Sequence, residues 1–404
     1  WTSRLILGGP MPDVELPFTR LEYADRLGRV RAAMDARGIE VLVAADPSNM
    51  SWLTGYDGWS FYTPQAVIVT GDGEPWWWGR RMDANGARRT VHMDDSRILD
   101  YSDDHVMSTE RHAFGQLAGL LCDMGHGSAR VGVELDNYYY SAAAHQHLVA
   151  GLTDADVVDA TALVNWQRGV KSEQELVYMR RGARIVERMH ARIREVIEPG
   201  MRKCDLVAEI YATGISGTGD FGGDYPAFVP ILATGADASA PHLTWDDKPL
   251  LSGEGTFFEI AGAHRRYQLP LCRTVFLGEP PSDMRRAEKA VLEGLDAGLD
   301  AARAGNRACD VARAFFSTME RAGFHKEGRC GYPIGISYPP DWGERTISFR
   351  ETDETVLEPG MTFHFMPGLW MDTWGLEITE SLVITEDGPG EPLADVERGI
   401  VVKA

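Results

Sequence analysis

The strongest constraint on how this chain folds is a boundary near residue 171. At Lys171-Ser172-Glu173-Gln174-Glu175 the hydrophobic pattern changes, and Ser172 followed three positions later by Glu175 is a capping box that starts a helix. Apolar residues at helical spacing carry that helix to Ile197, and Pro199-Gly200 end it. A chain of 404 residues with such a break reads as more than one domain.

Ahead of the boundary, from Phe18 to about Ala162, helical and extended patterns alternate. Leu21–Gly38 is an amphipathic helix stopped by its glycine, Glu40–Ala44 is a short apolar strand, and Asp46-Pro47-Ser48-Asn49 reads as a turn. Ala66–Val69 is a second strand ended by Gly71-Asp72-Gly73, and Trp76-Trp77-Trp78 a third. Successive indoles on a strand face opposite ways, so at least one needs another partner surface, a subunit interface being one candidate. Past the boundary a second helix, Cys204–Gly214, leads into a Gly-rich loop from Gly217 to Gly235. Two β-rich segments, Gly255–Leu277 and Met361–Ile384, are separated by the helices Asp283–Ala304 and Ala308–Ala322. The predicted plan is an α/β N-terminal domain over residues 17–165 and an α+β domain over 166–404. Residues 1–16 are expected to be an extension or added sequence, because the chain opens on Trp1 and an acidic lead follows Met11.

Forty basic against sixty acidic residues leave a formal charge of −20, which repels phosphate backbones and anionic lipid. Nucleic acid and membrane are not expected partners. No apolar stretch approaches the roughly 20 residues of a membrane span, the start lacks a signal-peptide plan, and a cytoplasmic protein is expected. The five cysteines are widely spaced with no C-x-x-C pair, so they read as free thiols, neither a disulfide framework nor a zinc site. The Gly217–Gly223 run lacks the Gly-Lys-Ser/Thr ending of a phosphate loop.

Three features of the second half resemble the creatinase/prolidase/aminopeptidase P family, whose catalytic domain is the pita-bread fold. They are Arg168–Glu175, the strand pair closed by Arg273-Thr274-Val275, and Leu357–Met361 followed by Glu380–Gly388. Metallopeptidases of that family hold two metal ions with two aspartates eleven residues apart, one histidine and two glutamates. In this chain the aspartate positions fall on Glu259 and Pro270, the histidine on Tyr332, and the glutamates on Met366 and on Thr379 or Glu380. Proline, tyrosine and methionine cannot replace those ligands for hard cations, so the resemblance implies a metal-free member, with no cofactor expected.

Further runs in both halves, among them Thr54–Tyr62, Gly79–Ala87, Phe221–Pro226, Pro241–Asp247, Gly331–Arg345 and Phe363–Ser381, resemble the branch of the family that opens the cyclic amidine of ectoine to N-acetyl-2,4-diaminobutyrate. Such a substrate is a planar delocalised cation with a carboxylate on its ring. It needs acceptor carboxylates, aromatic walls and a cationic anchor. The resemblance implies Glu259 as nucleophile or base and His242 as proton shuttle, with Glu377 and Glu380 holding the cation. Trp59, Phe61, Tyr225, Trp245, Tyr332, Trp370 and Trp374 are the candidate walls, His264 is a further candidate substrate-binding residue, and Arg345 with Arg80 or Arg81 are the candidate anchors. The resemblance also implies a homodimer in which N-domain residues reach the partner's site.

Each candidate has a plainer reading. A lone strand glutamate is ordinarily a solvated or paired face residue, and the metal-site frame is what sets Glu259 apart. Arginines ordinarily make surface ion pairs, tryptophans ordinarily fill cores, and His364 on an apolar strand reads as a core histidine. Cys272 reads as packing. The pattern departs from the amidine-opening branch at His264 and Gln268, which leaves open a creatinase-like hydrolase or lyase acting on another small zwitterionic or guanidino substrate. A peptidase-like protein without activity is the remaining alternative.

Overall fold

A computed structural model describes residues 14–404. Of the expected extension only Val14, Glu15 and Leu16 fall among them, without regular structure. The chain divides into two compact units, one ending at Val164 and one spanning Asn165–Ala404.

The first unit is built on a six-stranded sheet: β1 (Val41–Ala44), β2 (Ala66–Thr70), β3 (Trp76–Arg80), β4 (Ile98–Tyr101), β5 (Arg130–Val133) and β6 (Asp156–Asp159), in spatial order β4-β3-β2-β1-β5-β6. β2 is antiparallel to both neighbours, and the remaining pairings are parallel. The expected turn at Asp46–Asn49 is instead the start of a helix, Pro47–Thr54. Asp46 accepts from the Ser48 N–H at 2.7 Å and Pro47 occupies the first turn, so residues that read as a turn are helix-starting chemistry. The tryptophan triplet finds its cover within the chain. Trp77 and Trp78 are fully buried, and the Arg97 guanidinium lies 4.2 Å from the Trp76 ring centroid.

The second unit begins with the capping box: Ser172 accepts from the Glu175 N–H, and the Glu175 side chain accepts from the Ser172 N–H at 2.8 Å. The helix it starts, Glu173–Val196, lies against a long antiparallel hairpin, β7 (Gly255–His264) and β8 (Tyr267–Leu277), whose residues are all buried. Two glycines allow the approach, since a Cβ on Gly262 would stand 2.1 Å from the Gly182 carbonyl oxygen. The two-residue turn uses Arg265 and Arg266, both at positive φ, where glycine or asparagine is the usual choice. Asp224 accepts from the Arg266 N–H at 3.0 Å, and the Tyr225 ring lies 3.8 Å below its guanidinium.

The Met361–Ile384 segment forms short strands rather than one long one: β10 (Thr362–Phe365), β11 (Gly368–Trp370), β12 (Gly375–Glu377) and β13 (Glu380–Val383). β10 lies between β13 and β9 (Gly331–Pro333), while β14 (Glu391–Pro392) edges β13 and β15 (Val401–Lys403) runs parallel to β8. The helices Ser282–Ala301 and Ala308–Arg321 close the core over these strands with Leu295, Phe315, Phe363 and Phe365.

Candidate active site

The β7–β8 register sets Glu259 opposite Cys272. The segment after β12 is fastened to β8 at two threonines: Thr274 Oγ1 donates to the Glu377 carbonyl at 2.9 Å, and Thr379 Oγ1 accepts from the Cys272 N–H at 2.7 Å. These bonds bring Glu377 to the buried pair Glu259 and Cys272. Glu259 lines a cavity of about 360 Å³ together with Phe228, His242, Lys326, Tyr332 and Trp370, and Glu327, Arg329, Asp341, Trp342, Arg350 and Met366 are also on its wall.

Burial, reinforced by the Glu377 charge, holds the Glu259 carboxyl well above the ordinary range. Burial also pushes Glu377 up to about 7, against the opposing pull of the Cys272 thiol and the Lys326 charge. Ionising both would put two negative charges into one buried site, which favours the protonated form of Glu259. The Cys272 thiol beside them is pushed up by burial and then by both carboxylates, so it stays protonated and is no nucleophile. Lys326 supplies a buried positive charge, its Nζ 4.3 Å from the Trp370 ring centroid.

Tyr332 stands in a chain of bonds. Its hydroxyl accepts from Trp342 Nε1 at 2.8 Å and shares a hydrogen bond with His364 Nδ1 at 2.9 Å, while His364 Nε2 meets Thr379 Oγ1 at 2.8 Å. Burial, then Arg329, drives His364 down to about 3, so the imidazole is neutral and acts as a link in the wall. His242 lines the same cavity from an exposed position.

Of the residues expected from the sequence, Glu259, His242, Tyr332 and Trp370 thus line one cavity, with Glu377 behind Glu259. Glu380 does not join them: it is clamped by Arg273 at 2.8 Å and Arg398 at 2.9 Å in a buried ion pair. Tyr225 carries Arg266, Trp245 packs edge-on to Tyr211, and Trp374 donates to Asp283 at 3.0 Å. His264 sits at the far end of β7, where Nδ1 donates to the Gly222 carbonyl and Nε2 accepts from Arg181. Gln268 accepts from the Ala227 N–H and donates to the carbonyls of Arg266 and Ser337. The two departures from the amidine-opening pattern are therefore packing residues outside the cavity lining. Arg345 is exposed at positive φ and does not line the cavity. Trp59 and Phe61 pack against each other at a tilt, ring centroids 4.8 Å apart, in the first unit, where Arg80 and Arg81 pair with Asp103 and Asp100.

Lys326, Arg329 and Phe228 were not legible as site residues, because they lie in loops without periodicity or spacing. Asp341 and Trp342 fall inside the Gly331–Arg345 run that carries the family resemblance. The positions of the two-metal cage do not fit metal ions. Pro270 and Met366 offer no hard donor, Glu380 is held by Arg273 and Arg398, an ammonium shares the cavity with Glu259, and among the described residues no group of three His, Cys, Asp or Glu side chains is placed to hold a cation.

Comparisons with known proteins agree with this fold. Residues 26–170 match the creatinase/prolidase N-terminal domain, and residues 177–386 match metallopeptidase family M24. The chain is 59% identical over 400 residues to the ectoine hydrolase of Halomonas elongata, covering 97% of this chain and 100% of the relative. It is 42% identical to an uncharacterized hydrolase/peptidase of Sinorhizobium fredii, covering 96% and 99%. Among solved structures, a prolidase from Thermococcus sibiricus superposes with a TM-score of 0.81 at 18% identity over 94% of this chain and 99% of that one. With both domains matched in order, the chain belongs to the metallopeptidase M24 family and carries the creatinase/prolidase N-terminal domain ahead of its M24 domain.

Proposed function

We propose that this protein is a metal-independent hydrolase that opens the cyclic amidine ring of ectoine or a close relative, releasing N-acetyl-2,4-diaminobutyrate. The observation that carries this reading is the buried carboxyl of Glu259 on the wall of a cavity with aromatic sides, with the buried carboxyl of Glu377 behind it. Two carboxyls whose joint ionisation is opposed by burial and mutual repulsion become acceptors when a delocalised cation arrives. The substrate is the one named for the Halomonas relative, whose sequence this chain follows end to end.

In the proposed reaction a Glu259 oxygen adds to the amidine carbon while Glu377 holds the cationic face. The ring C–N bond then breaks as the departing nitrogen takes a proton delivered through His242. Water then attacks the Glu259 carboxyl carbon of the resulting ester-like adduct, so the acyl C–O bond breaks, the former Glu259 oxygen leaves in the amide product and a water oxygen restores the Glu259 carboxylate. Glu259 acting as a base toward water is the rival route, and labelled water separates the two: a single turnover leaves label in Glu259 only if the carboxylate attacks. A homodimer is the proposed working form.

The test is to incubate chelator-treated protein with ectoine, hydroxyectoine and creatine and follow products by mass spectrometry. Ring opening of ectoine, lost in Glu259→Ala, supports the proposal. Inactivity on all three by correctly folded protein overturns it.

A further inference from the structure

We infer that Lys326 receives the carboxylate of the substrate, making the cavity selective for zwitterions over simple cations. This rests on the reading of Glu259 and Glu377 as the cation-binding pair. Lys326 lies in the loop after the helix Ala308–Arg321 and lines the cavity with Glu259 and Trp370. The residue is only 6% exposed, yet among the described residues its ammonium has no hydrogen-bond acceptor and no ion-pair partner. An ammonium has three donors, and here the Trp370 face, 4.3 Å away, is its one specific contact.

Burial lowers the Lys326 pKa, while Glu377, Cys330 and Glu259 counter it through space. The positive and negative groups therefore share one cavity without touching, an arrangement that a bare cation would meet with repulsion and a zwitterion would bridge. Low polarity strengthens both effects relative to the surface.

The other cations are less suited. Arg329 donates to Ser348 Oγ at 3.3 Å and lies 4.4 Å from the Tyr332 ring centroid. Arg350 is exposed. The anchors expected from sequence, Arg345, Arg80 and Arg81, do not line the cavity.

The test compares ectoine with 2-methyl-1,4,5,6-tetrahydropyrimidine, the same ring without its carboxylate, on wild-type protein, Lys326→Met and Lys326→Arg. Where the simpler ring is not turned over, its inhibition constant against ectoine takes the place of its KM. Lys326→Met, which replaces a buried ammonium with an apolar group of similar size, should lower kcat/KM for ectoine by roughly 10- to 100-fold, mainly through KM, the range of a charge-assisted hydrogen bond. It should leave the simpler ring unchanged or bound more tightly, and Lys326→Arg should restore part of the preference. An equal loss on both rings, or no loss on ectoine, overturns the assignment of Lys326. Inertness of the wild-type protein toward both rings overturns the proposed function, and this assignment with it.

Discussion

Glu377 and Glu380 are three residues apart, and their environments give them opposite roles. Glu380 is neutralised by two arginines, whereas Glu377 is buried beside the Cys272 thiol with no arginine on it. Arg273→Met leaves Glu380 to Arg398 alone and takes a donor from the carbonyls of Cys272, Thr379 and Val396, so it should cost about 3–5 kcal/mol in urea melts. Glu259→Gln should leave stability near wild type and lower turnover by roughly a thousandfold or more. Glu377 adds a pH signature. Its folded pKa is about 7, against 4.5 in the ordinary case, so the folded state binds more protons than the unfolded one between those values. Stability falls as pH rises through that window. Glu377→Gln should therefore be more stable than wild type by about 1–3 kcal/mol at pH 8, an advantage absent below pH 4.5. Equal differences at both pH values would show that Glu377 does not titrate in this way.

Among the elements, the hairpin β7–β8 does most to build the site, and much of it was readable. Its two runs, the Arg273-Thr274 ending and the eleven-residue interval from Glu259 to Pro270 follow from the chain order. The packing that seats it was not, because Gly182 and Gly262 are ordinary glycines until a helix and a strand meet through them. Gly262→Ala should destabilise by ~3 kcal/mol or more, since its new methyl group would meet backbone rather than a movable side chain; thermal melts check this, and a near-neutral result would mean that the helix can move away. The Met361–Ile384 segment was readable as β-rich but not as four short strands. The strand run is interrupted at Met366-Pro367 and reverses across Met371–Trp374, and only long-range bonds to Thr274 and Cys272 decide where Glu377 points.

For the molecule as a whole, the cavity composition predicts activity that survives exhaustive chelation unchanged, because its wall carries an ammonium and among the described residues no three His, Cys, Asp or Glu side chains come together to hold a cation. Recovery of activity only on adding a divalent metal would contradict this. Light scattering should give a mass roughly twice that of one chain if the homodimer is the working form. Two domains and the capping box at Ser172 were legible in the sequence alone, because local hydrogen bonding and periodicity are written in consecutive residues, whereas the reading of Pro270, Tyr332 and Met366 as former metal-ligand positions came from the family resemblance. Which carboxylates face the cavity was decided only by the tertiary structure. Glu380 left the set, Lys326 entered it, and His264 and Gln268 became packing residues, because burial and through-space charge depend on segments such as β7, β12 and the loop at Lys326 that lie tens of residues apart in the chain.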